Sequence, residues 1–406
     1  MGRQSVAEVL RGLDAADVSL DRVGSKTESI VQCVEYSHSN LSEGAQGALL
    51  CLALFSGFID RNDLENYVKQ LQAAGAAFAE LSIEALDGAV QEAIDWGLLT
   101  PVDAENPNLL TIQPVFPYFL KTKLAAQDEA FQQALRLGFK NHYEGLAGSY
   151  NQLMGSKEPQ QRQMGILFCK LEYENLYNAL QIALERQESP GIFLKLDFYH
   201  RVQNDTNNRL PLAQSVCEVL RNYPITLKSG SVGAEIVMAF DRLSECYLNL
   251  QKYENARVAY SQTLTTLDEL RDIDNQWKQI AKASTYHQLG TVAQELREFE
   301  QARTDYQQAL QIKIEFGDRY SQASTYGQLG LLAKAEGQSE EAMQQLFQAL
   351  TIFREFQDNH SLAMVFRYLS RLYQANPSPQ LPTQISTLLG ISEPEVMQLL
   401  THVSQE

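Results

Sequence analysis

The chain has 406 residues, long enough for two or three domains, and 50 acidic against 33 basic side chains leave it with a net charge of −17. That balance argues against non-specific affinity for nucleic acid or an anionic membrane, because a basic footprint is the main source of either. The five cysteines, at 33, 51, 169, 217 and 246, are odd in number and free of CxxC spacing, which predicts buried thiols in a reducing, cytoplasmic compartment.

In chain order, residues 4–20 read as an amphipathic helix with Val6, Val9, Leu10 and Leu13 on one face. Residues 21–26 read as a turn and 27–37 as a second helix, so that 1–40 forms a linking segment. Residues 42–55 read as a more apolar helix through Leu49, Leu50, Leu52 and Leu54, and 60–71 as an amphipathic one. Ser82 and Glu84 open a helix over 86–96 that Gly97 ends as a cap. The apolar runs 98–100 and 109–112 flank a polar turn and predict a β-hairpin. Helices followed by such a wing predict a winged-helix-like domain over 41–125. Residues 126–231 read as a helical linker or degenerate repeats, broken at Gly148, 156–159, 189–191, 204–208 and Pro224. No run approaches the roughly 18 apolar residues of a membrane span, so no membrane partner is expected.

Residues 232–375 repeat themselves. Tyr286-His287-Gln288-Leu289-Gly290 returns forty positions on as Tyr326-Gly327-Gln328-Leu329-Gly330, and again as Phe366-Arg367-Tyr368-Leu369-Ser370. Ala302, Tyr306, Ala309 and Leu310 recur as Ala342, Leu346, Ala349 and Leu350. An earlier copy holds Phe240, Leu243, Ser244, Ala256, Tyr260 and Leu264, with a longer step to the next through extra residues around 268–279. A fixed period of this size predicts stacked helical hairpins whose apolar faces bury each other and leave a concave surface. The fold class expected is therefore all-α: the winged-helix-like domain, then an α-solenoid. After Pro377, Pro379 and Pro382, residues 376–406 predict two capping helices around Gly390, the second opened by Ser392 and Glu395 as a capping box.

This spacing resembles the tetratricopeptide repeat, with small residues where helix A of a hairpin meets helix B. The resemblance implies that helix A lines the concave face. The groove candidates are then Asp241 and Glu245, His287, Thr291 and Gln294, Lys334, and Arg367 and Arg371. None of the pairs 241/245, 287/291, 327/331 and 367/371 is the Lys and Asn pair with which chaperone adaptors clamp a terminal carboxylate. The groove is expected instead to run from acidic to basic, to suit a protein or peptide ligand, and its candidates to be exposed.

Three strings carry a second resemblance: SIVQCVEYSHSNL over 29–41, LLTIQPVFPYFL over 109–120, and Glu174-Asn175-Leu176-Tyr177-Asn178-Ala179-Leu180. In that order, ahead of helical repeats, they resemble the C-terminal half of a STAND (NB-ARC-type) signal-transducing NTPase. The family places a nucleotide-binding domain first, then a winged helix that clamps the nucleotide, then a repeat array that senses the trigger. The phosphate-cradling GxxxxGK[ST] is missing here, since in Gly24-Ser25-Lys26-Thr27 the glycine is not next to the lysine. ATP or ADP is therefore expected only in a domain upstream of this chain, with no cofactor in the chain itself. Where the family has a histidine that approaches the nucleotide phosphate, this chain has Gln113 before Pro114, which can donate a hydrogen bond but carries no charge.

The six histidines, at 38, 142, 200, 287, 360 and 402, are dispersed, and no HExxH or GxSxG is present. Glu172 and Glu174 lie two apart, on different sides of a helix. No catalytic or metal site is expected. The function expected is that of a non-catalytic sensor region which recognises a protein or peptide, with homo-oligomerisation left to the full-length protein. A free-standing repeat scaffold is the alternative. A DNA-binding winged helix is disfavoured by charge.

Overall fold

The computed structural model describes residues 26–103 and 105–402, so the helix expected over 4–20 lies outside the described residues. The chain forms two compact units, one ending at Arg186 and the other starting at Gln187.

The first unit runs α1 (Lys26–Ser39), α2 (Glu43–Leu49), β1 (Phe58–Asp60), α3 (Leu64–Ala74), α4 (Ile83–Asp95), β2 (Leu99–Pro101), β3 (Leu109–Ile112), α5 (Val115–Leu124), α6 (Glu129–Met154), α7 (Pro159–Leu171) and α8 (Tyr173–Glu185). Its sheet is antiparallel in the order β1-β3-β2, with Phe58 opposite Thr111 and Leu99 opposite Ile112. The hairpin β2–β3 stands as expected. The strand β1 was not legible, because three residues are too few to display an alternation.

Three sequence expectations need correction here. The helix over 42–55 stops at Leu49 and continues as a 3₁₀ turn over Leu50–Leu52. Leu49, Cys51, Leu52, Ala53, Leu54 and Phe55 are all buried, so this segment threads the core. Gly148 does not break α6, because the helix buries Phe139, Tyr143, Ala147 and Tyr150 along one side. Tertiary packing overrides the roughly 1 kcal/mol that a glycine costs there. Cys33 is exposed, unlike the four buried cysteines, because it sits on the outer side of α1 while Val34 faces inward.

The second unit is all helical apart from one isolated bridge between Ser229 and Arg271. It comprises α9 (Gly191–Val202), α10 (Thr206–Arg221), α11 (Gly230–Asn249), α12 (Tyr253–Glu269), α13 (Asn275–Glu295), α14 (Phe299–Glu315), α15 (Arg319–Ala335), α16 (Ser339–Glu355), α17 (Asn359–Ala375), α18 (Leu381–Leu389) and α19 (Glu393–His402). The forty-residue period resolves into two 17-residue helices and two three-residue turns. The last three A helices each open on an aspartate whose carboxylate accepts from a backbone N–H three residues on, at Asp274, Asp318 and Asp358. Each turn passes through a left-handed residue. Glycine fills it at Gly317 and Gly337, while Arg297 and Gln357 adopt it at φ 62° and 56°.

The longer step after the first copy has a simple cause. Helix α13 has 21 residues against 17 in α15, and the turn before it is two residues longer.

Close approach decides the small position of helix A. A Cβ at Gly290 would meet the Tyr306 ring at 2.6 Å, and one at Gly330 would meet Leu346 Cγ at 2.7 Å. Serine takes this position in the outer copies, where Ser244 Oγ donates to Phe240 O (2.7 Å) and Ser370 Oγ to Phe366 O (2.9 Å), so neither buried hydroxyl is unsatisfied. The end of the array is closed by α18 and α19, which lay Leu381, Ile385, Val396 and Leu400 against Val365, Phe366, Leu369 and Leu372. Ser392 and Glu395 form the expected reciprocal cap.

Candidate functional site

The outward positions of the A helices do not all behave alike. Asp241 and Glu245 on α11 are half-buried and already occupied. Arg209 holds buried Asp197 (2.7 Å) and reaches Glu245 (2.9 Å), while Arg242 lies 3.2 Å from Glu245 and 3.6 Å from Asp241. Hydrogen bonding to Arg209 keeps the Glu245 carboxyl below its usual range despite the burial that opposes it. The expected acidic end is therefore an internal ion network, because α9 and α10 supply guanidinium and carboxylate partners that the repeat register alone does not reveal.

The middle positions are half-buried as well. His287 Nδ1 lies 3.1 Å from Thr325 Oγ1, and its ring stands 5.4 Å from that of Tyr306. Tyr306 Oη lies 3.2 Å from Thr291 Oγ1 and 3.3 Å from Gln294 Oε1. Burial, and then the nearby Lys313 ammonium, drive His287 down to about 4, so the ring is neutral at physiological pH. The expectation of exposure fails for Asp241, Glu245, His287, Thr291 and Gln294, because each packs or bonds to a neighbouring helix.

It holds at the other end. Lys334, Arg367 and Arg371 are exposed, and none makes an ion pair among the described residues. The Lys334 ammonium stands 5.9 Å from the centre of the Tyr368 ring. Elsewhere in the repeats Arg257, Arg303 and Arg319 are each matched to glutamates of adjacent elements. The outward positions of α15 and α17 (327, 331, 334, 367, 371, 374) contain three cations and no acid.

In the first unit, Gln113 has an exposed side chain. Its backbone N–H donates to Leu98 O (3.3 Å) and its carbonyl accepts from Phe116 N (2.8 Å), turning β3 into α5.

Sequence reasoning set Glu172 aside, yet it is buried at the break between α7 and α8. It accepts from Tyr143 Oη (3.0 Å) and Asn175 Nδ2 (2.6 Å). Asn175 also donates to Phe58 O (2.9 Å) and accepts from Ser56 N (2.6 Å), while Asn178 donates to Leu54 O (3.2 Å). Beside them His142 Nε2 stands 3.3 Å from Asp63 Oδ2. Burial pushes the Glu172 carboxyl up to about 7 and the His142 ring down to about 4. The asparagines of the 174–180 string are thus the ties between α8 and the approach to β1. Their polar character on an otherwise apolar helix face was the signal.

No helix among the described residues is long and apolar enough to cross a membrane. Residues 282–355 match the family model of the tetratricopeptide repeat. No curated protein matches the chain. Among solved structures, BtubC from P. vanneervenii is 14% identical over 65% of this chain and 93% of its own, with a TM-score of 0.39. A signal transduction ATPase with numerous domains and a tetratricopeptide repeat sensor, from Pyrococcus horikoshii, is 12% identical, with 91% of this chain covered and 52% of that one, and a TM-score of 0.38. Aspartyl phosphate phosphatase F from Bacillus subtilis is 11% identical, with 85% and 94% covered and a TM-score of 0.39. The repeats of the second unit are tetratricopeptide-type hairpins stacked as an α-solenoid.

Proposed function

We propose that this chain is a non-catalytic, cytoplasmic sensor and regulatory region that recognises a protein or peptide through the A-helix face of its repeats. The observation that carries this reading is the set Lys334, Arg367 and Arg371. These cations are exposed and make no ion pair among the described residues, in a chain whose net charge is −17. Side chains at the packing positions of the same helices are buried, so the two sets divide folding from recognition.

Within this reading the chain is the sensor half of a STAND-type signalling ATPase, with domains at 41–125, 126–231, 232–375 and 376–406. The order helix, strand, helix, helix, strand, strand, with strands paired β1-β3-β2, supports a winged helix ahead of the sensor. Gln113, at the end of β3, would face the nucleotide of an upstream domain. Ligand binding would shift a population between closed and open states of the full-length protein.

The test is capture of a partner from the source cell by the intact chain and by the double variant R367E/R371E. Loss of an acidic partner on charge reversal supports the reading. Undiminished capture of every partner overturns it.

A further inference from the structure

Two rows of side chains lie along the outward side of α15 and α17. Positions 320, 324, 327, 331 and 334 of α15, and 360, 364, 367, 371 and 374 of α17, are spaced alternately four and three residues apart, so each row follows one side of its helix. The two helices run side by side. Tyr320 Oη, at the start of α15, donates to Asp358 Oδ2 (2.8 Å) at the cap of α17, and the Lys334 ammonium, near the end of α15, stands over the Tyr368 ring of α17.

The two rows hold Lys334, Arg367 and Arg371 and no acid. They also hold Tyr320 and Met364. The large apolar side chains exposed between residues 315 and 375 are these two, at 45% and 44%, and Phe356 at 47%. The Phe356 ring packs against that of Tyr320, with centres 5.4 Å apart. Tyr320 and Met364 belong to the first halves of their helices, while Arg367, Arg371 and Lys334 follow from the middle onward. The face is thus graded along the helices from apolar to cationic. Single exposed apolar side chains are ordinary, but a group of them beside cations that make no ion pair among the described residues marks a docking surface. A partner gains by covering the apolar end and by supplying carboxylates at the other. The net charge of −17 repels a polyanion at longer range, so a short acidic segment suits this face better than nucleic acid.

From Met364 to Arg371 the helix rises about 10 Å, and from Tyr320 to Lys334 about 21 Å. An extended peptide covers these distances in about three and about six residues. We propose that the A-helix face of α15 and α17 docks an acidic segment of a partner protein that carries one large apolar anchor, with the anchor against Tyr320, Phe356 and Met364 and the carboxylates, about three to six residues away, on Arg367, Arg371 and Lys334; this rests on the reading that the A-helix face receives the ligand. The cations select for acid, and the apolar end fixes where along the face the segment sits.

The experiment is calorimetric titration of the whole chain with three capped peptides. One is N-acetyl-Trp-Gly-Gly-Glu-Glu-Glu-Glu-amide, and the others replace its Trp by Ala or every Glu by Gln. The first should bind about tenfold more tightly than either of the others. Met364→Ser and Tyr320→Ser should each weaken it by about three- to tenfold while leaving the affinity for the alanine peptide unchanged, the signature of a direct contact with the anchor. Met364→Leu and Tyr320→Phe should bind as wild type. Y320F loses the bond to Asp358 but keeps the ring, which separates the ring's contact from the helix cap. Equal affinity for the tryptophan and alanine peptides, or no effect of M364S and Y320S, overturns the anchor; loss of binding in R367E/R371E would then leave the A-helix face standing as the reading surface. No heat with any peptide overturns the proposal outright, while partner capture by R367E/R371E still decides the face. A dimer of the chain that M364S dissolves would also overturn it, by showing that a second copy covers this face.

Discussion

Gly330 on α15 lies so close to Leu346 on α16 that a Cβ on the glycine would stand 2.7 Å from Leu346 Cγ and 3.2 Å from the carbonyl of Ala342. Gly330→Leu should therefore destabilise the second unit by roughly 1–3 kcal/mol, the usual cost of overpacking. That corresponds to a melting temperature lower by about 2–12 °C for a unit of this size. Three residues earlier the same helix gives the opposite sign. Gly327→Ala meets open space, and the loss of glycine flexibility should stabilise by about 0.5–1 kcal/mol. Thermal unfolding of the two variants checks both signs together.

The left-handed turn residues offer a second pair. Gly317 at φ 70° and Gln357 at φ 56° occupy equivalent places forty residues apart. A side chain in this region costs roughly 1–2 kcal/mol, partly offset by the lower unfolded-state entropy of a non-glycine residue. Gly317→Ala should thus lower stability by about 1 kcal/mol, and Gln357→Gly should raise it by a few tenths to about 1 kcal/mol. Denaturant midpoints would register the difference. A destabilised Q357G would contradict the shared backbone geometry.

Glu172 makes a pH prediction for the first unit. Its carboxyl titrates near 7 when folded and in the ordinary range near 4.5 when unfolded. The folded state holds the proton more tightly, so this contribution is full below about pH 4.5 and is lost as pH rises toward 7. His142, lowered to about 4, acts in the opposite sense and contributes stability that is lost as pH falls below 6.5. Glu172→Gln keeps an acceptor for Tyr143 and Asn175 and removes the titration. The stability advantage of E172Q over wild type should grow from pH 4.5 to 7, reaching on the order of 2–3 kcal/mol, and then stay level. Trp96 fluorescence in a Trp277→Phe background follows this unit. A pH-independent difference would contradict the assignment.

Much of the fold was legible because the repeat is written in positions that packing makes compulsory. Gly290 and Gly330 admit no side chain, Asp318 and Asp358 cap, and Ala302, Ala309, Ala342 and Ala349 are fully buried. The tail was legible through Ser392 and Glu395, whose side chains cap each other locally. The strand β1 and the 3₁₀ turn at Leu50–Leu52 were not, because both are set by distant partners: Phe58 pairs with Thr111, more than fifty residues away. The candidate face was half legible. Register placed Asp241, Glu245 and His287 on the A helices, but it could not reveal that Arg209 or Thr325 would engage them. The burial of Lys313 against Thr325 was not legible either, because the repeat fills its position with apolar core.

The central claim, that the A-helix face of the repeats is the reading surface, is tested most directly by charge reversal at Arg367 and Arg371. Both side chains are exposed and make no ion pair among the described residues, so R367E/R371E should leave the melting temperature within about 2 °C of wild type. The measurement is the affinity of a captured partner for the intact chain and the variant across a salt series. The account predicts weaker binding by the variant and a shallower dependence of what remains on ionic strength, since screened attraction between exposed charges has been removed. Equal affinity and an equal salt slope for the two proteins would contradict it.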